Sequence, residues 1–261
     1  MTSIPTRQIQ LEVVTDTLDG LHAAIEGGAD RIELVMGLAF GGLTPAVGLL
    51  ERAALSPVPV RAMIRPRTAD FTYSDAEVAM MRSDIDAVSR IGVRGVVFGA
   101  NLPSGELDRD KLARLSEPAQ ARGLDVAMHR GFDLAPDPLA AIDICISLGI
   151  STVLTSGGPR FAEDGIQGLK HYVAHAAGRI EIMAGSGVTA NNATRVVEGS
   201  GVNWIHASCL GSCTVEGDQP PPDRVAALGG LTQTRKVTDS RVVRQLRSVL
   251  DEMSLSRKNH R

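Results

Sequence analysis

Residues 29–48, ADRIELVMGLAFGGLTPAVG, show best how this chain is built. The stretch opens with a short apolar run, 32–36, which carries one carboxylate, Glu33, near its middle. A loop follows, with glycines at positions 37, 41, 42 and 48 and a proline at position 45. An apolar strand that ends in a glycine-rich loop is typical of the rim of a functional site in α/β proteins. We therefore predict one strand and one loop of such a rim here.

A glycine followed by a short apolar run recurs along the chain, as expected where a helix ends in a left-handed cap and the next strand begins. Together with runs at 8–14 and 58–64, these repeats predict eight strands. Segments with a 3.6-residue apolar period predict helices between them, at 18–27, 74–91, 111–122, 136–148, 165–177 and 239–253. Parallel strands need helical crossovers, so we expect an α/β fold, a (β/α)8 TIM barrel. The competing open doubly wound sheet lacks its G-x-G-x-x-G after the first strand.

One domain over residues 1–261 accommodates this pattern. The barrel core is expected at about 8–208, followed by an irregular excursion at 209–237. A final helix at 238–253 and a basic tail at 254–261 complete the prediction. Aromatic residues make up only 3% of the chain, so the core must consist of aliphatic side chains and methionine. Such a composition favours buried parallel strands.

Charge and composition narrow the partners and the compartment. The net charge of −3 gives no reason to expect nucleic-acid binding, although the segment from Arg235 onward carries eight Lys/Arg and three Asp/Glu. That segment is either a solvated helix or a polyanion-binding tail. There is no apolar run of membrane-spanning length and no signal-peptide core, so we expect a cytoplasmic protein without membrane contact. Three cysteines do not make a disulfide framework.

Charged residues inside the predicted strands need an explanation, because apolar residues are expected there. They are Glu12, Glu33, Arg61, Arg65, His129, Glu181 and His206. An unpaired buried carboxylate is costly. One interpretation is therefore a structural layer of glutamate–arginine pairs inside the barrel. The other is a functional cleft, because barrel enzymes place their sites at the carboxyl ends of the strands.

The polar and charged residues at those carboxyl ends favour the interpretation as a functional cleft. The candidate ligand-binding residues are Arg65, Arg67, Arg130, Asp133, Thr155, Ser156, Gly185, Gly187, His206 and Ser208. Arg65 and Arg67 are expected to hold an anion, and backbone N–H groups of residues 185–187 a phosphate or carboxylate. His129 beside Glu33 or Glu12 is the expected acid–base pair, so these three are the candidate catalytic residues.

Sulfur ligands suggest a metal only weakly. Cys209 and Cys213 follow the last strand near His206, and soft sulfur with imidazole would suit Cu(I). The Cys-x-x-x-Cys spacing is not specific, and methionines in strands usually fill the core. We assign no metal ligand from the spacing of these residues.

Nine ordered motifs between about residues 9 and 208 resemble the CutC family. They are ADRIEL at 29–34, GGLTP at 41–45, MIRPR at 63–67, FTYSDAE at 71–77, GVVFGA at 95–100, HRGFD at 129–133, LTSGG at 154–158, EIMAGSGV at 181–188 and IHAS at 205–208. The resemblance implies a cytosolic TIM barrel, a homodimer, and a role in copper homeostasis with copper ion binding, but no settled reaction. The family's copper label is tied to cysteines in E-V-C and E-L-C motifs. This chain has Val14 and Val35 there, and valine cannot ligate a metal.

Three hypotheses follow. The chain is a copper-homeostasis protein, with copper implied as its ligand by the family label alone. Alternatively it is a barrel enzyme that acts on a small anionic or phosphorylated metabolite by acid–base chemistry. A third hypothesis is a binding barrel without chemistry. The sequence leaves open whether the protein is an enzyme.

Overall fold

A computed structural model describes residues 9–214, 222–227 and 234–259. Eight parallel strands form a closed barrel in sequence order, with β8 paired to β1. The strands are β1 (Gln10–Thr15), β2 (Arg31–Leu34), β3 (Val60–Met63), β4 (Gly95–Phe98), β5 (Asp125–Met128), β6 (Thr152–Thr155), β7 (Glu181–Ala184) and β8 (Trp204–Ala207). The predicted (β/α)8 barrel is confirmed.

Helices alternate with the strands and cover the outside of the barrel. They are α1 (Leu18–Gly27), α2 (Val47–Ala53), α3 (Asp75–Ile91), α4 (Arg109–Ala121), α5 (Pro138–Ser147), α6 (Ile166–Ala176) and α7 (Ala193–Ser200). Their ends follow ordinary capping chemistry. Ser74 and Glu77 form a capping box at the start of α3, and Gly28 ends α1 in the left-handed region, at φ 91°.

Side chains alternate between the two faces of the barrel wall. Outward-facing Leu11, Val13, Ile32 and Leu34 belong to the main apolar core between the strands and the helices. The interior holds a separate apolar cluster that includes Val14, Val35 and Met63. It also holds a layer of charged residues, described below. The position of this layer follows from the strand register, which pairs Glu12 with Arg31 on one side and with His206 on the other.

The segment after β8 differs from the prediction. Residues 209–237 were expected to be irregular, but β9 (Leu210–Thr214) and β10 (Thr234–Thr238) pair as an antiparallel ribbon, with the short helix α8 (Pro222–Ala227) between them. The backbone hydrogen bonds of the ribbon satisfy polar groups that a loop would leave to water. Residues 215–221 and 228–233 lie outside the described residues.

The final helix is longer than predicted. Helix α9 (Ser240–Asn259) continues through residues that were expected to form a basic tail from 254 onward. Ser254 explains the extension, because it is buried and its hydroxyl accepts a hydrogen bond from the Ile9 backbone N–H at 3.2 Å. Arg247 of the same helix bonds to Asp30 at 2.7 Å. Within the described ranges, no helix is both long enough and apolar enough to cross a bilayer.

Candidate active site and ion site

A cavity of about 290 Å³ lies at the carboxyl ends of strands β1 to β3, β5, β6 and β8. Its apolar wall includes Val14, Val35, Leu38, Phe40, Met63 and Phe71, and its polar lining includes Glu33, Arg65, His129, Arg130 and His206. Apolar cavities with a few convergent polar groups are the usual form of a small-molecule site. The cleft that the sequence predicts at this end of the barrel therefore corresponds to a real cavity.

Glu12 is the most heavily paired residue of the buried charged layer. One carboxylate oxygen lies 2.9 Å from His206 Nδ1, and the other accepts from Arg31 Nε and lies 3.5 Å from Arg61. Burial alone would raise the pKa of Glu12. The charge of Arg31, the hydrogen bond with His206 and the charge of Arg61 outweigh burial and hold that pKa well below its usual range. Glu12 therefore stays ionised and anchors the layer.

Glu33 has the opposite electrostatics although it lies 3.5 Å from the same imidazole. Its burial raises its pKa to about 7, and the nearby charge of His206 offsets only part of this effect. For His206, burial would lower the pKa, but the hydrogen bond to Glu12 and the charge of Glu33 raise it above the usual value. A carboxyl group with a pKa of about 7 and an imidazole with a raised pKa are thus held side by side at the cavity.

His129 does not occupy the place that the sequence suggests. The prediction paired His129 with Glu33 or Glu12, but the imidazole beside both carboxylates is His206. His129 Nδ1 accepts the Gly131 backbone N–H at 3.0 Å, and its ring packs on Phe71 with centroids 4.4 Å apart. Burial lowers the pKa of His129 to about 4. His129 is therefore a neutral part of the cavity wall, not the partner of a glutamate.

Arg65 and Arg67 do not form the expected anion clamp. The Arg65 guanidinium donates to the carbonyls of Phe40, Gly42 and Ala69 at 3.0–3.1 Å, so it joins the loop after β2 to the segment after β3. Arg67 donates to Glu77 at 2.5 Å and to Asp70 at 3.1 Å, and it does not line the cavity. Arg67 therefore has carboxylate partners, whereas Arg65 is bonded to backbone carbonyls and keeps its positive charge.

The rim residues at the ends of β5 and β6 are joined to one another by hydrogen bonds. Asp133 accepts hydrogen bonds from Arg130 at 2.7 Å, from the Thr155 hydroxyl, and from Ser156 at 3.0 Å. Arg130 also donates to the Ser156 hydroxyl at 2.8 Å. These four predicted residues are together, as expected, but their mutual bonds make a structural network. Only Arg130 of the four also lines the cavity.

A second cavity of about 400 Å³ adjoins the first on the side of β7 and β8. Gly187, Ser208 and Cys209 line it, and both cavities share His206 and Arg130. Gly185 packs beneath this rim, because a Cβ there would lie 2.6 Å from Leu154. Its N–H donates to Thr155 O at 3.0 Å, so the predicted anion donor at Gly185 is already used within the sheet.

Glu12, Glu33 and His206 could hold an ion. Among the described residues they are the one group of three or more His, Cys, Asp or Glu side chains whose ligand atoms all lie within 4.8 Å of one another. Cys209 and Cys213 do not join His206 in such a group. Burial raises the pKa of Cys209 to about 12, so its thiol stays protonated. The sulfur site considered for Cu(I) is therefore not assembled within this part of the chain.

Comparison with known proteins places these residues in context. The model of the CutC family matches residues 9–211. A CutC family protein from Sinorhizobium medicae is 42% identical, and the match covers 95% of this chain and 98% of that protein. One from Aliivibrio fischeri is 47% identical over 77% of this chain and 81% of the relative.

Solved structures give the same picture. A CutC protein from Streptococcus agalactiae, named for copper homeostasis, superposes with a TM-score of 0.73 at 31% identity and covers 77% of this chain and 98% of its own. The thiamine phosphate pyrophosphorylase of Pyrococcus furiosus matches with a TM-score of 0.57 at 16% identity, over 94% and 97% of the two chains. This second similarity concerns the barrel fold alone.

Proposed function

The chain belongs to the CutC family, and from this membership and the geometry of its barrel we propose that it acts in copper homeostasis. Copper homeostasis is the role for which the Streptococcus agalactiae protein is named. The observation that carries the proposal is the cluster of Glu12, Glu33 and His206, whose ligand atoms all lie within 4.8 Å of one another. These three residues would bind the copper ion.

The type of ligand favours Cu(II). At the two positions where the family carries cysteines, Val14 and Val35 lie in an apolar cluster with Met63, so a thiolate site for Cu(I) does not fit there. Carboxylate and imidazole are harder ligands, and among divalent first-row ions such sites bind Cu(II) most tightly. The proposed cargo of this chain is therefore the oxidised ion.

The surrounding charge is compatible with a dication. Ion pairs link Glu181 to Arg31, Arg31 to Glu12, Glu12 to Arg61, and Arg61 to Asp125. With Glu33 included, four carboxylates face two arginines, which leaves two negative charges when every acid is ionised and His206 is neutral. Binding must first displace the protons on Glu33 and His206, so copper affinity should rise as the pH passes about 7.

Calorimetric titration with Cu(II) at pH 7.5 tests the proposal. Wild type should bind one equivalent, and Glu33→Gln and His206→Gln should each weaken binding by about tenfold or more, as expected when one ligand is lost. The matched control is the Cys209→Ser, Cys213→Ser double variant, which should bind as wild type does. Equal affinity of wild type and His206→Gln would refute the site.

Compartment and assembly follow from the family resemblance as further parts of the proposal. We propose that the protein acts in the cytoplasm as a homodimer. Light scattering on a size-exclusion column should give twice the mass of 27.6 kDa. A mass that stays at one chain over micromolar concentrations would contradict the dimer.

Acid–base catalysis on a small anionic metabolite is the second candidate function. Glu33, whose pKa is about 7, lies beside His206 at the wall of a cavity, and pairs of this kind transfer protons efficiently at neutral pH. Deuterium uptake by 2-oxobutyrate and by dihydroxyacetone phosphate, followed by NMR, is the test. Exchange in wild type that does not exceed exchange with Glu33→Gln would reject this function for those substrates.

A further inference from the structure

Two buried nitrogen donors in the wall of the smaller cavity lack a hydrogen-bond partner. They are His129 Nε2 and Arg65 Nε, for which the described residues offer no acceptor. Both side chains line the cavity, and the two residues are only 4% and 5% exposed. Buried polar groups in folded proteins nearly always have a partner, and an exception points to a missing ion, water or ligand.

The chemistry of these two nitrogens is fixed by their neighbours. His129 Nδ1 accepts the Gly131 N–H, so the ring proton must sit on Nε2, which makes Nε2 a donor. The burial of His129 and the charge of Arg65 lower the pKa of this imidazole to about 4, so at neutral pH the donor is uncharged. The other Arg65 nitrogens are already bonded to loop carbonyls. Nε is thus the one Arg65 nitrogen for which the described residues offer no acceptor, and it belongs to a positively charged guanidinium.

Phe71 places both donors on the same wall. Its ring packs on His129 with centroids 4.4 Å apart, and the Arg65 guanidinium carbon lies 5.0 Å from the ring centroid. The lining of the same cavity also contains Val35 and Met63, which offer apolar contact. This wall therefore presents two N–H groups and one positive charge beside an apolar surface.

We infer that this cavity binds a small organic carboxylate, whose oxygens accept hydrogen bonds from His129 Nε2 and Arg65 Nε while its hydrocarbon part packs on the apolar lining. A phosphate would bring more oxygens than these two donors can pair. A metal cation would be repelled by donors alone, so the copper ion proposed above would bind at Glu12, Glu33 and His206 and not at these two nitrogens. The inference names the substrate class of the acid–base function proposed above and rests on that function only for the location of the site.

Calorimetric titration with benzoate at pH 6 is the first test, because benzoate joins one carboxylate to an apolar ring. Benzyl alcohol has the same ring without the charge, and inorganic phosphate has the charge without the ring. Saturable binding of benzoate, with both other probes at least about tenfold weaker, is expected from the loss of a charge-assisted hydrogen bond. Phosphate binding as tight as benzoate binding, or no benzoate binding at 10 mM benzoate, roughly the weakest affinity that titration resolves, would overturn the inference.

A single variant separates the hydrogen bond from the packing. In His129→Asn the side-chain oxygen can still accept the Gly131 N–H, while the group at Nε2 is removed. Benzoate affinity should fall about tenfold. The matched control is His175→Asn, at a partly exposed residue that pairs with Asp143 and should leave the affinity unchanged. Equal affinity in His129→Asn and wild type would refute the role of His129.

A second measurement covers the case in which His129→Asn does not fold. In wild-type protein labelled with ¹⁵N, one imidazole Nε2–H signal should shift when benzoate is added and remain unchanged when benzyl alcohol is added. Binding without such a shift would contradict the proposed contact. These assays need neither copper nor turnover, so a failure of either proposed function would not be mistaken for a failure of this inference.

Discussion

Replacing Glu33 with glutamine should change the free energy of unfolding in a pH-dependent way. The difference between the variant and wild type should favour the variant more at alkaline pH than at acidic pH. The side chain is buried, and burial raises its pKa from 4.5 to about 7. Between those two values the folded protein keeps a proton that the unfolded chain releases. The free energy of unfolding of wild type therefore falls as the pH rises through this window and levels off above it.

The size of the effect follows from the two pKa values. At ~1.36 kcal/mol for each tenfold change in proton affinity, a rise from 4.5 to about 7 corresponds to about 3 kcal/mol. Glutamine has nearly the same shape as the protonated acid and cannot ionise. The free energy of unfolding of Glu33→Gln minus that of wild type should therefore increase by about 3 kcal/mol between pH 4.5 and pH 8.

Urea denaturation at several pH values between 4.5 and 8 measures this difference. The single tryptophan, Trp204, lies inside the barrel against Arg31 and reports unfolding through its fluorescence. Glu12→Gln is the matched control, because the same substitution in the same layer removes the partner of Arg31 and Arg61. It should lower the free energy of unfolding at pH 8 by roughly 3–5 kcal/mol. A difference between Glu33→Gln and wild type that stays flat from pH 4.5 to 8 would refute the reasoning, as would a loss at pH 8 as large as that of Glu12→Gln.

Three other variants test separate parts of the site. Arg65→Met removes three hydrogen bonds to loop carbonyls and should lower the free energy of unfolding by about 3 kcal/mol. Thermal melting measures this loss, and an unchanged melting temperature would show that the loop is held by other contacts. Gly185→Ala places a Cβ 2.6 Å from Leu154 and 3.2 Å from the Cβ of His206. We therefore expect the free energy of unfolding to fall by about 1–3 kcal/mol and Cu(II) binding to weaken. Unaltered copper affinity would mean that His206 does not move. The Val14→Cys, Val35→Cys double variant puts thiols beside Met63, so its Cu(I) affinity should increase at least about tenfold in a competition with bicinchoninate. No increase would count against a sulfur site at these two positions.

The sequence was sufficient for the barrel and for the end of it that carries the polar residues, because both depend on local periodicity and on the rule that strands present their carboxyl ends together. It did not show that His206, and not His129, lies beside the two glutamates. His129 and His206 each follow an apolar run with similar neighbours. Only the pairing of β8 with β1, which closes the barrel, sets His206 opposite Glu12. The register between the last and the first strand of a closed barrel cannot be inferred from the spacing of residues along the chain.

Arginine partners were mispredicted for a related reason. Arg65 and Arg67 are two residues apart after one strand, which suggested a joint clamp. Instead, Arg65 donates a hydrogen bond to a carbonyl of the loop after β2, and Arg67 donates one to Glu77 of the capping box on α3. Gly42 and Glu77 come from other segments, so these two bonds cannot be inferred from the residues next to each arginine, although Ala69 and Asp70 are local partners. The ribbon of β9 and β10 was missed because its strands pair across a long connection.

The contact between Glu12 and His206 joins residues that are 194 positions apart. During synthesis, Glu12 and Glu33 leave the ribosome before His206, so we expect both carboxyl groups to stay hydrated, with ordinary pKa values, until the last strand docks. The unusual proton affinity of Glu33 can arise only when that docking removes water from the barrel interior. An infrared carboxyl band from a protonated Glu33 at neutral pH would therefore mark the moment of barrel closure. A nascent or truncated chain that ends before β8 would lack the cluster of Glu12, Glu33 and His206 and should not show this band.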